Sequence, residues 1–213
     1  MADVRTRMAA ACDRAGRRSG EVRLIGVTKT HPPELVRRAA AAGLTEFGEN
    51  YVQELAAKRQ AAPDATWHFI GRLQRNKVRQ VLDLTDVVQT LEPGRAADRL
   101  AALAAEQSRQ ITCLVEVDFT GARVGITPDD AEPFIEDLSG RPGVECRGLM
   151  TVAPLGEDPR RAFAGLRELR DRLIKRFPAV SELSMGMSED LEAAVEEGAT
   201  MVRVGSAIFG PRP

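Results

Sequence analysis

The chain has 213 residues, which suits one large domain or two small ones, and 43% of them are hydrophobic, enough for a substantial core. Charged residues make up 29% and sum to a net charge of −1, so the composition excludes a general attraction to nucleic acid or to an anionic membrane. No apolar run approaches the ~18 residues of a membrane span, and the charged N-terminus lacks the apolar core of a secretion signal. We therefore expect a cytoplasmic protein.

Cysteine usage gives the same expectation. Cys12, Cys113 and Cys146 are far apart in the sequence, their number is odd, and none belongs to a C-x-x-C pair. This spacing argues against both a disulfide framework and a zinc site, so we predict neither.

Short β-like runs alternate with longer helical patterns along the chain. A helical segment comes first, at residues 3–17, and eight predicted strands follow. They are residues 22–28, 44–49, 67–71, 86–91, 111–118, 145–151, 182–185 and 201–207. Strands that alternate with helices pair in parallel, and eight such units predict an α/β fold, a closed (β/α)₈ TIM barrel.

Capping residues mark the ends of two of the intervening helices. Thr127 and Pro128 are typical of an N-cap and a first helical position. The helix before the eighth strand is predicted to start at Ser188 and to stop at Gly198.

The two ends of the chain differ from a simple repeat of strand and helix. Almost nothing follows the eighth strand, so we predict that the extra N-terminal helix takes the place of the missing last one. Since no linker, low-complexity tract or repeat interrupts the sequence, we assign residues 1–213 to one domain.

Several polar side chains fall on the strand faces that we place inside the barrel, because side chains alternate along a strand. They are Lys29 after the first strand, His68 in the third, Glu116 and Asp118 in the fifth, and Arg203 in the eighth. Charges inside a barrel are costly unless they are paired or used. Since the active sites of such barrels lie at the C-terminal ends of the strands, we expect a site there.

Lys29 directly follows the first predicted strand. A lysine in a partly desolvated site loses some of its preference for the charged form, and its free amine can attack an aldehyde to form a Schiff base. The alternative is a surface lysine that begins a loop, and the spacing alone leaves both interpretations open.

Two other inward-facing residues have structural alternatives. Arg203 points inward while its valine neighbours point toward helices, and it either forms a salt bridge to Glu116 or Asp118 or contacts a ligand. His68, taken alone, is typical of a core histidine with satisfied hydrogen bonds.

Small residues occupy the loops after the seventh and eighth strands. These are SMGMS, residues 184–188, and VGSAIFG, residues 204–210. In (β/α)₈ barrels these two loops often bind phosphate through backbone N–H groups and the N-terminus of a short helix. The alternative is ordinary turn chemistry, but small residues in both loops favour a phosphate site.

The residues collected so far lie within longer motifs that resemble a known family. VTKTHP (27–32), FGENYVQE (47–54), WHFIGRLQRNK (67–77), GLMTVAP (148–154) and LSMGMSEDLEAAVEEGATMVRVGSAIFG (183–210) are strongly similar to the pyridoxal phosphate homeostasis proteins. These proteins are single-domain barrels of pyridoxal phosphate fold type III, related to the N-terminal domain of alanine racemase. The similarity runs from about residue 21 to residue 210.

The resemblance implies that pyridoxal 5′-phosphate is the cofactor and that Lys29, in the TKT motif, holds it as a Schiff base. Arg203 would approach the pyridine nitrogen. The other implied contacts are Ser184, Ser188, Gly205 and Ser206 around the phosphate, and Asn50, His68 and Met150 along the cofactor cavity.

Three features depart from the family pattern, and all concern the rim of the site. The family usually has histidine at the position of Arg72 and serine at the position of Arg75. The loop after the fifth strand is the short VEVDFTGARVGI, in which Asp118 and Arg123 would replace the usual asparagine and lysine.

The resemblance implies a protein that stores pyridoxal phosphate and transfers it, without strong amino-acid turnover. Its expected partners are the cofactor and apo-enzymes that depend on it, and we expect a monomer.

Two alternatives from other functional classes stay open. A racemase-like enzyme needs an acid–base group on each face of the carbanion, and alanine racemase takes its second from an additional domain that has no counterpart in this sequence. Arg203 beside the ring nitrogen would also weaken the ring as an electron sink. The other alternative is a cofactor-free aldolase in which Lys29 attacks the substrate directly.

Overall fold

The computed structural model describes residues 1–121 and 124–211. The strands are β1 (Arg23–Val27), β2 (Glu46–Glu49), β3 (Thr66–Phe69), β4 (Val87–Leu91), β5 (Ile111–Glu116), β6 (Val144–Met150), β7 (Glu182–Ser184) and β8 (Met201–Val204). The α-helices are α1 (Ala2–Arg14), α2 (Pro33–Ala41), α3 (Val52–Ala61), α4 (Val78–Leu84), α5 (Arg95–Glu106), α6 (Ala131–Ser139), α7 (Pro159–Leu173), α8 (Leu191–Glu196) and α9 (Ser206–Phe209). None of these described helices has the length and apolarity needed to cross a membrane. Arg123 lies outside the described residues.

The eight strands form one closed parallel barrel. Each strand pairs with its neighbour in the sequence, and β8 pairs with β1 in a register that places Arg203 opposite Ile25. The predicted (β/α)₈ barrel is therefore confirmed. Because all strands run in the same direction, their C-terminal ends meet at one mouth.

Six strands end one to three residues earlier than the sequence predicts, and two of them, β1 and β8, change the mouth of the barrel. β1 ends at Val27, so Lys29 lies in the turn that follows the strand. β8 ends at Val204 rather than at residue 207, because Gly205 (φ −108°, ψ −81°) leaves the extended conformation and α9 begins at the next residue. An apolar run this short does not reveal by its periodicity whether it is strand or helix.

The predicted helix caps are partly confirmed. Thr127 does precede the 3₁₀ turn that leads into α6, and Gly198 follows α8 with a positive φ of 97°. The predicted start of α8 at Ser188 is wrong, since the helix begins at Leu191. The side chain of Asp190 accepts a backbone N–H hydrogen bond at 2.5 Å and holds the preceding residues as a turn.

The N-terminal helix closes the ring of helices, as the sequence predicts. On one side of α1, Arg7 pairs with Glu192 of α8 at 2.6 Å, and Arg17, just beyond α1, donates to two carbonyls at the end of α8. On the other side, Arg5 donates to the carbonyl of Gly43 after α2 at 2.7 Å. Thus α1 lies between α8 and α2, over the junction of β8 and β1.

The strands bury apolar side chains on both of their faces. On the outer face Phe47 and Trp67 stack with ring centroids 5.2 Å apart, and Val202 and Val204 pack toward the helices as predicted. The barrel interior holds a smaller apolar cluster, made of Ile25, Leu114, Met150 and Met201. Polar side chains inside the barrel therefore lie next to an apolar layer.

Candidate functional site

A cavity of about 530 Å³ opens at the C-terminal end of the barrel. Most of the predicted site residues line it, namely Lys29, Asn50, Met150, Ser188, Arg203, Gly205 and Ser206. Its size is within the range of pockets that bind cofactors and other small molecules.

Lys29 lies in a strained turn after β1. The His31 N–H donates to the Thr28 carbonyl at 3.0 Å and closes the turn, while Thr30, at its third position, has a φ of 66°. A β-branched residue at positive φ is a true outlier and persists only when surrounding contacts hold it. The turn places Lys29 on the wall of the cavity.

A buried lysine of α3, Lys58, supplies those surrounding contacts. Its Nζ donates to the Thr28 carbonyl (2.6 Å) and to Glu49 (2.6 Å), and it also pairs with Glu54. The same carboxylates bind the turn themselves, since Glu49 accepts from the Thr28 hydroxyl (2.8 Å) and Glu54 from the Thr30 N–H (3.0 Å). The buried ion pair therefore fixes the backbone on both sides of Lys29.

Glu49 also fixes Asn50, a second cavity residue. Its Oε1 accepts from the backbone N–H groups of Asn50 (2.7 Å) and Tyr51 (2.9 Å). The side-chain Oδ1 of Asn50 is buried and has no hydrogen-bond partner among the described residues. Because a buried polar atom without a partner is costly, this oxygen is suited to accept a hydrogen bond from a ligand.

Arg203 lines the cavity from the barrel interior. Its Nη1 donates to the Ser184 hydroxyl at 2.7 Å and its Nη2 to the Thr151 carbonyl at 2.9 Å, so these hydrogen bonds run to neutral groups rather than to a carboxylate. Burial lowers the pKa of Arg203 to about 10, although the charges of Glu116 and Asp190 act in the opposite direction. The guanidinium therefore remains charged at neutral pH.

The loops after β7 and β8 meet at two serines. Ser206 Oγ lies 3.2 Å from Ser188 Oγ, and the Ala207 N–H donates to Ser188 Oγ at 3.5 Å. A Cβ added at Gly205 would first meet the Val27 carbonyl oxygen, at 3.4 Å, which is ordinary contact. Packing within the protein therefore does not require glycine at position 205.

The structure corrects two of the predicted cavity residues. His68 lies deeper in the barrel, with Nε2 3.0 Å from Glu46 and Nδ1 2.9 Å from Gln89, and lines a separate pocket of about 190 Å³ at the N-terminal end. Ser184 is fully buried and accepts a hydrogen bond from Arg203 instead of lining the cavity. Strand alternation predicts His68 inside the barrel but not its depth along the axis, and Ser184 was implied by the family resemblance alone.

The predicted rim residues are also placed differently. Asp118 follows β5 and accepts from the N–H and the hydroxyl of Thr120 (2.8 and 2.7 Å), whereas Glu116, the last residue of β5, is the one that lines the cavity. Arg72 is exposed and pairs with Glu92 at 3.3 Å.

Three residues around the site were missed by the sequence reasoning. His31 lines the cavity and packs against Phe209 of α9, with ring centroids 5.5 Å apart. Lys58 gave a weak signal, since it lies three positions after Leu55 on the buried face of α3. Gln89 gave a clearer one, as a polar residue in the otherwise apolar run VVQTL of β4.

The family of the chain follows from its relatives. The sequence model for the N-terminal domain of alanine racemase matches residues 4–213. A pyridoxal phosphate homeostasis protein of Aquifex aeolicus is 41% identical over 97% of this chain and 94% of its own length. The chain belongs to the pyridoxal phosphate homeostasis protein family.

Solved structures agree with this membership. PipY of Synechococcus elongatus PCC7942, in a structure with PLP bound, is 37% identical and matches 95% of this chain and all of its own with a TM-score of 0.85. Alanine racemase of Clostridium difficile 630 is only 12% identical but matches 99% of this chain and 57% of its own with a TM-score of 0.75, so it shows the fold alone. The predicted resemblance to the pyridoxal phosphate homeostasis proteins is confirmed.

We expect Lys58→Met to destabilise the protein by about 3 kcal/mol, because it leaves the Glu49 carboxylate buried without its cation. The double variant Lys58→Met/Glu49→Gln should recover part of this loss, since no charge then remains buried at that place. Urea unfolding followed by circular dichroism measures both. The control is Lys175→Met, because Lys175 is exposed and its replacement should change stability by less than about 0.5 kcal/mol. A Lys58→Met protein as stable as this control would contradict the role given to Lys58.

Proposed function

We propose that this protein binds pyridoxal 5′-phosphate (PLP) as a Schiff base of Lys29 and acts in intracellular PLP homeostasis, storing the cofactor and transferring it to apo-enzymes. Relatives of this chain bear the name of that function, and PipY has been solved with PLP bound. The observation that carries the proposal is that Lys29, Asn50, Arg203 and the serines of two small-residue loops share one cavity.

The chemistry of the cavity fits the groups of PLP one by one. Lys29 offers an amine for the aldehyde, and the buried Asn50 oxygen offers an acceptor for the ring hydroxyl. Arg203 offers donors for the ring nitrogen. Ser188 and Ser206, with the backbone N–H groups at the start of α9, offer donors for the phosphate. Each group that we assign to the cofactor is thus matched by a complementary group of the protein.

Lys29, and not the buried Lys58, is suited to hold the cofactor. When bound, PLP supplies an aldehyde that condenses with an amine and releases water. Lys29 lies on the cavity wall, whereas Lys58 is buried and its Nζ is bonded to Glu49 and to a backbone carbonyl. We therefore assign the Schiff base to Lys29 and a structural role to Lys58.

Arg203 supports storage and transfer rather than amino-acid turnover. A guanidinium only donates hydrogen bonds, so a ring nitrogen that faces Arg203 must accept one and stay unprotonated. An unprotonated ring withdraws electrons less well and so holds back carbanion chemistry. Since Arg203 keeps its charge at neutral pH, this restraint acts under working conditions.

A PLP-dependent amino-acid enzyme is the second candidate function. The observation in its favour is that His31 and Glu116, two titratable side chains, line the same cavity as Lys29. Proton transfer at an amino-acid α-carbon needs groups of this kind within reach. The cofactor-free aldolase has less support, because it gives no role to the buried Asn50 oxygen.

We expect Lys29→Ala to abolish the visible absorption of the PLP-loaded protein, because no Schiff base forms without the amine, while the barrel still folds. Borohydride reduction of the parent protein, followed by peptide mass mapping, should place the reduced cofactor on Lys29. The other lysines are Lys58, Lys77 and Lys175, and Lys77→Ala is the control that should keep the spectrum. A label on any of these three would contradict the assignment.

Gly205→Val should weaken the binding of PLP about tenfold more than the binding of unphosphorylated pyridoxal, because a side chain there would keep a phosphate away from the backbone amides. Fluorescence titration of both ligands measures the difference. Gly20→Val is the control, since a Cβ at Gly20 meets nothing within 4 Å and the residue lies outside the cavity. Equal losses for the two ligands would argue against the placement of the phosphate.

The PLP-loaded protein should reactivate an apo-transaminase faster than it exchanges the α-proton of amino acids in deuterated water. The physical reason is the restraint that Arg203 places on carbanion formation. Reactivation is compared with an equal concentration of free PLP, and exchange is followed by NMR for several amino acids. Fast exchange at one chiral centre without reactivation would favour the enzyme instead.

A further inference from the structure

A chain of hydrogen bonds crosses the barrel interior, from the cavity toward the opposite end. Arg203 Nη1 donates to Ser184 Oγ (2.7 Å), and Ser184 Oγ donates to Gln89 Oε1 (2.7 Å). Gln89 Nε2 lies 2.9 Å from His68 Nδ1, and His68 Nε2 lies 3.0 Å from Glu46 Oε2. The five residues come from five different strands, β8, β7, β4, β3 and β2.

The chemistry of the two ends agrees with one direction for this chain of hydrogen bonds. Arg203 can only donate, and an ionised Glu46 can only accept. Ser184 accepts from Arg203 and uses its own proton toward the Gln89 oxygen, so the amide nitrogen of Gln89 faces His68. His68 then accepts at Nδ1 and carries its proton on Nε2, toward Glu46.

Glu46 is ionised at neutral pH and so serves as the terminal acceptor. Burial raises the pKa of Glu46, but the hydrogen bond from His68 and the positive charge that His68 and Arg23 can place beside the carboxylate outweigh burial and bring the pKa below its ordinary value. A cation at the cavity is thus joined to a carboxylate near the other end of the barrel through the side chains of Ser184, Gln89 and His68.

The middle of this chain of hydrogen bonds is buried, so the loss of any one hydrogen bond is costly in free energy. Ser184, Gln89 and His68 are all fully buried. In such surroundings aligned hydrogen bonds polarise one another, and the loss of one member leaves the others with unpaired buried groups. The amide of Gln89 does not exchange its protons along the chain as a water would, so the chain orients groups rather than conducting protons.

We propose that Gln89 and His68 are positioning residues for Arg203: acting through Ser184 and anchored on Glu46, they set the direction in which the guanidinium donates into the cavity. The inference deepens the proposed function and rests on it, because the direction of Arg203 matters for PLP only if the cavity binds PLP.

The protonation of His68 is the first test, and it needs no cofactor. Nitrogen NMR of the ¹⁵N-histidine-labelled protein at neutral pH should show His68 with a proton on Nε2 and none on Nδ1. The chain has two histidines, so His31 is the only other signal. A proton on Nδ1 of His68 in the parent protein would overturn the proposed direction.

Gln89→Glu extends this test with a side chain of the same shape. A carboxylate at position 89 still accepts from Ser184 but can no longer donate to His68, so His68 should gain a second proton. A His68 that keeps a single proton on Nε2 in this variant would contradict the contact between the two residues.

The affinity for PLP is the second test. Gln89→Leu removes the acceptor of Ser184 and should weaken PLP binding about tenfold, the loss expected for one buried hydrogen bond to a charged network. Thr90→Val is the matched control: Thr90 is the next residue of β4, is buried, and loses its hydrogen bond to the Gly71 carbonyl. Its PLP affinity should stay within about twofold of the parent.

Equal losses in Gln89→Leu and Thr90→Val would overturn the role of Gln89, because a general packing defect in β4 affects both variants alike. Should Gln89→Leu fail to fold, Ser184→Ala breaks the same chain with a smaller change and is compared with the same control. In the double variant Gln89→Leu/Ser184→Ala, the loss of PLP affinity should be smaller than the sum of the two single losses, since both residues act in one network.

Failure of the inference and failure of the proposed function are distinguishable. A parent protein that takes up no PLP contradicts the proposed function, while the His68 signal of the cofactor-free protein still decides the direction of the chain. If the parent protein binds PLP but carries a proton on Nδ1 of His68, the result supports the proposed function and contradicts the further inference.

Discussion

The burial of one guanidinium beside the apolar interior of the barrel constrains the whole cavity. Arg203 stands opposite Ile25, which belongs to the small apolar cluster inside the strands. A buried cation costs several kcal/mol unless its donors find partners. Here the partners are the neutral Ser184 hydroxyl and the Thr151 carbonyl. Because a buried hydroxyl needs an acceptor of its own, the requirement passes from strand to strand across the barrel.

On the outer side of the barrel, a second buried cation also needs partners, and there the partners are charged. Lys58 is buried between the sheet and α3, where the carboxylates of Glu49 and Glu54 neutralise it. These carboxylates also bind the turn that carries Lys29, including Thr30 with its unfavourable backbone conformation. Relaxing the turn would therefore break contacts of a buried ion pair, and this keeps the strained conformation in place.

The sequence predicts which face of a strand a side chain lies on better than it predicts the depth of that side chain along the barrel axis. Strand alternation correctly predicts that Arg203 faces the barrel interior, since the side-chain period of two is a local property. It places His68 inside the barrel but does not give its level, because depth depends on the stagger between strands. That stagger arises from pairings such as His68 with Val87, which join residues far apart in the sequence.

The hydrogen-bond partners of the buried polar groups could not be predicted from the sequence, because they too depend on contacts between distant elements. A glutamine in β4 signals that something inside the barrel accepts and donates hydrogen bonds. Gln89 can meet His68 when the neighbouring strands β3 and β4 pair, but it meets Ser184, 95 positions away in the sequence, only after the barrel closes. The contacts of Lys58 are more local, but they depend on how α3 packs against β1 and β2. Such a contact follows from the fold and cannot be derived from a local period.

β2 joins the two polar networks, because its acidic residues lie on opposite faces of one short strand. Glu46 faces the barrel interior and ends the chain that begins at Arg203, while Glu49 faces α3 and holds Lys58. Between them Phe47 packs into the outer core, so the strand is fixed on that side. A shift of β2 by one residue would exchange its faces and remove the anion from both networks at once. The register of this strand therefore sets, in one step, the turn of Lys29, the backbone of Asn50 and the direction of Arg203.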